Sequence, residues 1–230
     1  MSTYILQIDT ATEVCSVSLS LNGQIVDKID AEEPNLHASK LTVFIDELLQ
    51  KTNLTYQDLS AIAVSKGPGS YTGLRIGVST AKGLCYALDI PLLAVNTLES
   101  MYMGYIPIAQ KESDLYIPML DARRMEVYMM TLDEEGNILK ETEAVIIDAE
   151  TFAAYVDKQI CLFGSGADKL KTIFAEASNI TIDSSYKHSS THLSKSAFEK
   201  FTKQEFEDLI YFEPYYLKEF IATTPKAIKL

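Results

Sequence analysis

No apolar run in this chain approaches the roughly 18 residues that a membrane-spanning helix needs. The first residues lead into a strand at Tyr4 without a basic stretch followed by an apolar one, so a secretory leader is not expected either. The expectation is a soluble, cytoplasmic protein. Cysteine is scarce: Cys15, Cys85 and Cys161 are an odd count without paired spacing, each in an apolar segment, and they read as reduced thiols packed as small hydrophobes. Basic charge is short as well. Against 32 Asp and Glu stand 20 Lys and Arg, a formal net charge of −12, which argues against a protein that grips an RNA backbone unaided. There are only three histidines. His188 and His192 are four apart, but Ser189-Ser190-Thr191 between them reads as a helix cap that puts His188 off the face of His192, so no metal site is expected there. His37 reads as a surface or capping residue, because no cysteine or serine nucleophile motif accompanies it. No His-Glu-x-x-His motif and no nucleophile triad supports a peptidase.

What is present centres on Ser65-Lys66-Gly67-Pro68-Gly69-Ser70-Tyr71-Thr72-Gly73-Leu74-Arg75. The apolar run Ala61 to Val64 before it has the length and branching of a buried strand, and a helical pattern follows through Leu88, so this is a strand, a glycine loop and a helix N-terminus. Gly67 and Gly69 suit unusual backbone angles, and Ser70 or Thr72 can cap the first turn. Two readings stay open, a phosphate cradle and a tight capped turn. No Gly-Lys-Ser/Thr follows, and the glycine spacing is not the dinucleotide fingerprint. Along the helix, Leu74, Val78, Ala81, Cys85 and Leu88 make one apolar stripe, while Gly73, Gly77, Thr80 and Leu84 make a second stripe of small and apolar residues. One face should lie on the sheet and the small-residue face should admit another helix, unless a large monomer core covers both. The first helix, Leu36 to Lys51, carries Leu41, Phe44, Ile45 and Leu48 on one side.

The chain also repeats a pattern. Strand Tyr4 to Asp9, strand Val14 to Leu21, an Asn22-Gly23 turn and a strand from Gln24 to Asp30 are echoed by Leu115 to Leu120 leading into Asp121, then Glu126 to Leu132, a turn at Glu134 to Asn137, and Ile138 to Val145. Two such copies, each followed by helix and strand signals, predict a duplicated α/β architecture. Asp9 and Asp121 end corresponding strands. They can be turn caps or a carboxylate pair for a metal, and Arg123 and Arg124 can clamp an anion or pair with acids such as Glu126. The second half adds a strand at Gln159 to Phe163, a Gly164-Ser165-Gly166-Ala167 turn, helices over Asp168 to Ala177 and from Thr191 toward Glu205, and a flexible end at Thr223 to Lys226.

The Ser65–Arg75 run, with Ile8-Asp9-Thr10-Ala11 before it, Asp121-Ala122-Arg123-Arg124 after it and Phe212-Glu213-Pro214-Tyr215-Tyr216-Leu217 near the end, resembles the TsaB family. That is the dimerisation subunit of the bacterial tRNA threonylcarbamoyladenosine machinery, once filed with glycoproteases. The resemblance implies the duplicated actin-like and sugar-kinase fold (ASKHA, ribonuclease H-like) in two lobes, here over residues 1–105 and 106–230. In active members of that fold the two Asp-bearing turns are glycine-rich and close on ATP and magnesium, whereas Arg123 and Arg124 fill the second turn here. In the paralogue TsaD the helix after the strand at Leu92 to Asn96 carries two metal-binding histidines four apart. Their places fall on Thr97 and Met101, which are poor ligands, and Glu99 is left without company.

The resemblance therefore implies a scaffold with no catalytic residues, no metal and no cofactor of its own. It would support the TsaD-type subunit that transfers threonylcarbamoyl to the adenosine beside the anticodon of tRNAs reading codons that begin with A. The implied partner surface comprises Leu41, Phe44, Ile45, Leu48, Gly73, Arg75, Gly77, Thr80 and Leu84, with Asp9, Gly67, Gly69, Asp121 and Arg123 as turn-forming residues. A homodimer through the same surface, an accessory ATPase of TsaE type and tRNA contact only through the complex complete the expected partners. The alternative is an active ATPase or small-molecule kinase of the same fold.

Overall fold

The computed structural model describes residues 2–33 and 36–218, and the tail expected at Thr223 to Lys226 lies outside the described residues. Strands β1 (Tyr4–Asp9), β2 (Val14–Leu21) and β3 (Gln24–Glu32) form an antiparallel meander. Asn22 and Gly23 both take positive φ, 51° and 81°, which is the hairpin geometry that an Asn-Gly pair favours. Helix α1 (Leu36–Lys51) leads to β4 (Leu59–Gly67), parallel to β1, and α2 (Tyr71–Leu88) leads to β5 (Leu92–Asn96), parallel to β4. After α3 (Thr97–Tyr105) come β6 (Leu115–Asp121), β7 (Glu126–Asp133), β8 (Ile138–Ile146), β9 (Ile160–Phe163), β10 (Ile180–Asp183) and α4 (Ser194–Lys203).

The two sheets run β3-β2-β1-β4-β5 and β8-β7-β6-β9-β10, so one strand order occurs twice in chain order. This is the duplicated two-lobed actin-like plan. The second copy is the leaner one. The sequence spacing predicts a helix over Asp168 to Ala177, but the structure has a single 3₁₀ turn at Asp168–Leu170 followed by further turns. Leu170 and Phe174 still reach the core, with Ile173 and Ala177 packed against it. Successive i→i+3 bonds, Leu170 N to Ala167 O and Ile173 N to Leu170 O, satisfy that apolar spacing without a regular α-helix.

Both faces of both sheets are covered, which is why the central strands read as nearly continuous apolar runs. On the first sheet, Leu6, Ile8, Val17 and Ile62 pack against Leu41, Ile45 and Leu48 of α1 and Val78 and Ala81 of α2. Its other face, Ile5, Ala61, Ala63 and Leu93, receives Ala197, Phe198 and Phe201 of α4. Helix α3 follows β5 in sequence, yet Leu98, Met101, Tyr102 and Tyr105 pack on Tyr116, Leu120, Met130 and Phe163 of the second sheet. Helix α3, within 1–105, packs on the second sheet, and α4, within 106–230, packs on the first. Each helix buries its apolar face where an open sheet face remains, and the chain crosses between lobes twice to do so. The segment 184–193 makes the return crossing. There the Ser190 amide donates to Ser16 Oγ at 2.7 Å and Ser190 Oγ lies 2.9 Å from Ser18 Oγ.

Cys15, Cys85 and Cys161 are free, buried thiols, and burial pushes them up to about 11, 12 and 11, far from reactive thiolates. Among the described residues no helix is long and apolar enough to cross a membrane.

Candidate functional site

The glycine loop is held by the chain's own first turn. Ser70 caps α2, its Oγ accepting from Gly73 N at 3.2 Å, and its backbone N–H donates to Ala11 O at 2.7 Å. Thr10 Oγ1 donates to Gly73 O at 2.7 Å, and a Cβ on Gly77 would collide with that same hydroxyl. A Cβ on Gly69 would press on Ala11, and Gly67, at φ 115°, lies under the backbone of Tyr215, whose N–H donates to Lys66 O at 2.7 Å. The glycines are there because backbone and turn approach too closely for side chains, and residues 10, 11 and 215 occupy the space a Cβ would take. Between this loop and residues 215–218 a cavity of about 40 Å³, lined by Pro68, Tyr71, Tyr128, Tyr216 and Lys218 among others, has room for a water or two.

The two aspartates of the repeated plan have different surroundings. Asp9 is fully buried: its Oδ1 accepts from Ala11 N at 2.9 Å, and its Oδ2 lies 2.9 Å from His188 Nε2. The contact is at ion-pair distance, although neither atom makes an aligned hydrogen bond. Burial pushes the Asp9 carboxyl up, but the His188 ring, Ala11 N–H and Ser65 hydroxyl outweigh it and hold the group below its ordinary value. The Tyr186 hydroxyl stands between the imidazoles, 3.2 Å from His188 Nδ1 and 3.0 Å from His192 Nδ1. Burial and the neighbouring His188 lower His192 to about 4. His37, half-buried, places Nε2 2.7 Å from Thr12 O and so steadies the same turn.

Asp121 is 52% exposed, caps Arg123 N at 2.9 Å and is bonded by Lys169, which also donates to Glu126 O at 2.6 Å. Arg123 and Arg124 take positive φ, 75° and 51°, and stand exposed. The expected pairing of these arginines with Glu126 is not formed: the carboxylate of Glu126 binds Lys218 instead. Both aspartates thus cap their own turns, Asp9 faces His188 and Asp121 faces Lys169, and among the described residues no group of three or more His, Cys, Asp or Glu could hold a metal ion.

Thr97 and Met101 are both 0% exposed, Met101 in the second-lobe core and Thr97 Oγ1 without a partner. Glu99 is half-buried, and burial raises its carboxyl above the ordinary value against the pull of Lys66 and Lys200. The turn Gly164 to Ala167 is filled as well, since a Cβ on Gly166 would press on Leu120. A cavity of about 350 Å³ on the second lobe, lined by Met129, Thr131, Lys140, Glu143, Phe152 and Tyr155 among others, contains none of the expected residues.

The nine positions expected at a partner surface divide. Leu41, Ile45 and Leu48 are core residues, and Gly73 and Gly77 are buried, with a Cβ on either running into Thr10, so these five are unavailable to a partner. The helical pattern is right, but the helix that would fill the small-residue stripe is replaced by the β1–β2 turn. Phe44, Thr80 and Leu84 are half-buried, and Arg75 is exposed with its guanidinium 5.0 Å from the Tyr71 ring centroid. The outward row of α2 is Arg75, Ser79, Gly83, Tyr86 and Ala87: Tyr86 is 83% exposed, and a Cβ on Gly83 would meet nothing within 4 Å. Tyr186, absent from the sequence reading, is the group that joins His188 to His192, and the local sequence carries no signal for it.

The family model described as "TsaD: tRNA N6-adenosine threonylcarbamoyltransferase" matches residues 32–227. A relative named "tRNA threonylcarbamoyladenosine biosynthesis protein TsaB" in Escherichia coli is 34% identical over 145 residues, 62% of this chain and 62% of that one. The protein of the same name in Buchnera aphidicola subsp. Baizongia pistaciae is 30% identical over 192 residues, 79% of this chain and 85% of that one. The solved structure of YeaZ from Pseudomonas aeruginosa superposes with a TM-score of 0.71 at 25% identity, covering 94% of this chain and all of that one. The chain spans 62%, 54% and 58% of the Escherichia coli, Haemophilus influenzae and Bacillus subtilis relatives it matches. With a family match across 32–227 and a 30% identical relative covered over 85% of its length, the chain belongs to the TsaB family within the TsaD-related proteins.

Proposed function

We propose that this chain is a non-catalytic, cytoplasmic subunit of the machinery that transfers threonylcarbamoyl to tRNA, acting by binding and supporting a TsaD-type catalytic paralogue. The observation that carries this reading is the complete burial of Thr97 and Met101 where the paralogue would present its metal-binding histidines. A hydroxyl and a thioether closed into a core offer a hard or borderline ion neither suitable donors nor access. The Asp9–His188 pair supports it further, because a protein imidazole faces the carboxylate that a cation would need.

The partner face is the outward row of α2, Arg75, Ser79, Gly83 and Tyr86, flanked by Thr80, Leu84 and Phe44. Small residues at 79, 83 and 87 let a second helix approach closely, and Tyr86 supplies an exposed aromatic anchor. The same face would serve a homodimer of free chains. A TsaE-type ATPase joins through the complex, and with a net charge of −12 the chain reaches tRNA only through its partner. Calorimetric titration of the chain with its TsaD-type paralogue tests the reading, together with ATP hydrolysis by the chain alone. Saturable 1:1 binding with no hydrolysis is the expected result; hydrolysis by the isolated chain, or no binding, would contradict it.

A further inference from the structure

Four titratable side chains form one polar file through the seam between the lobes. Asp9 Oδ2 lies 2.9 Å from His188 Nε2, His188 Nδ1 lies 3.2 Å from the Tyr186 hydroxyl, and that hydroxyl lies 3.0 Å from His192 Nδ1. The first pair is nearly sealed, with side chains 0% and 7% exposed. An ionised carboxylate can only accept, so it is the Nε2–H form of His188 that suits this contact. In that form Nδ1 is the acceptor for the single phenolic proton of Tyr186, which leaves the phenol oxygen to accept from an Nδ1–H of His192. In this arrangement the donors run in one direction, from His192 through Tyr186 and His188 toward Asp9. The other polar and charged groups against this file are Cys15 of β2 and Ser65 of β4 beside Asp9, Lys28 and Asp30 of β3 near His192, and Tyr105 of α3 with Asp183 beside Tyr186.

The Asp9 end of the file connects to α2. Asp9 Oδ1 caps Ala11 N at 2.9 Å, Ala11 O accepts from Ser70 N at 2.7 Å, and Thr10 Oγ1 donates to Gly73 O at 2.7 Å, with Gly77 resting on Thr10. We propose that His188 is a positioning residue: by facing Asp9 it fixes the 9–11 turn on which α2 is seated, so that the seam between the lobes sets the placement of the partner-binding helix. The link to a partner rests on the function proposed above for α2; the link to α2 itself does not.

The test compares His188→Leu, which leaves Asp9 unpaired, with His188→Gln, which keeps an amide N–H near the place of Nε2. Three readouts are taken on the full chain: amide exchange along α2, the ¹⁵N tautomer state of His192, and affinity for the TsaD-type paralogue. His188→Leu is expected to speed exchange of residues 71–78 about tenfold or more while β6 and β9 change less than about threefold. It is also expected to shift His192 away from the Nδ1–H tautomer and to weaken the paralogue by about tenfold, and His188→Gln should return exchange and affinity to within about threefold of the native chain. Unchanged exchange in α2, or an equal rise over both sheets, would overturn the proposal. Faster exchange in α2 with native affinity would leave the positioning role standing and overturn the partner face. If His188→Leu does not fold, Asp9→Asn takes its place with the same expectations.

Discussion

Thr10 Oγ1 donates a 2.7 Å hydrogen bond to the carbonyl of Gly73, and one helical turn later Gly77 rests on the same threonine. This contact decides what the small-residue stripe of α2 is for. It seats the helix on the first turn of its own chain, and the face left for another molecule is the opposite one.

One substitution should therefore have opposite effects six residues apart. Alanine is ordinarily favoured over glycine in a helix by about 1 kcal/mol, so Gly83→Ala, in open space, should raise stability by up to that amount. Gly77→Ala forces a methyl onto Thr10 and should lower stability by about 1–3 kcal/mol. Urea titrations of the two variants check this. Gly77→Phe should prevent folding, whereas Gly83→Phe should fold and lose the paralogue.

The two turn aspartates should differ in weight although they occupy equivalent places in the repeated plan. Asp9→Asn leaves a buried partner mismatched and should cost about 1–3 kcal/mol. Asp121→Asn removes an exposed contact with Lys169 and should cost less than about 1 kcal/mol. Thermal unfolding of the two variants at neutral pH compares them directly.

Stability should also fall in mildly acidic solution. His192 is lowered to about 4 in the folded chain from 6.5, so between these values the unfolded chain binds the extra proton. The contribution is fully present above pH 6.5 and is lost as pH falls toward 4, with a slope of at most about 1.4 kcal/mol per pH unit. Asp9, held below 3.8, adds a further loss only at lower pH. Replacing His192 by Gln should flatten the upper part of this profile, as measured by unfolding free energy from pH 7 to 4.

Much of the architecture is legible because it is local. Alternation marks β2, Asn22-Gly23 marks the first hairpin, and the Leu41, Ile45, Leu48 spacing marks α1. The repeated strand–Asp–strand order announces the duplicated sheets before any contact is known. What covers an apolar face is not local. A helical wheel shows that Gly73 and Gly77 share a stripe, but not that Thr10 fills it. Nor does it show that α3 crosses to the second sheet and α4 returns to the first. The Asp9–His188 contact joins residues 179 apart in sequence, and Tyr186 becomes meaningful only when the return crossing brings it between two histidines.

The supporting role is tested by threonylcarbamoyladenosine formation on tRNA in a reaction reconstituted from the TsaD-type paralogue, the enzyme that makes the threonylcarbamoyl adenylate and the TsaE-type ATPase, with and without this chain. Modification should collapse when the chain is omitted, return with the native chain and fail to return with Gly83→Phe, while the chain alone modifies nothing. Undiminished modification without the chain would contradict the account.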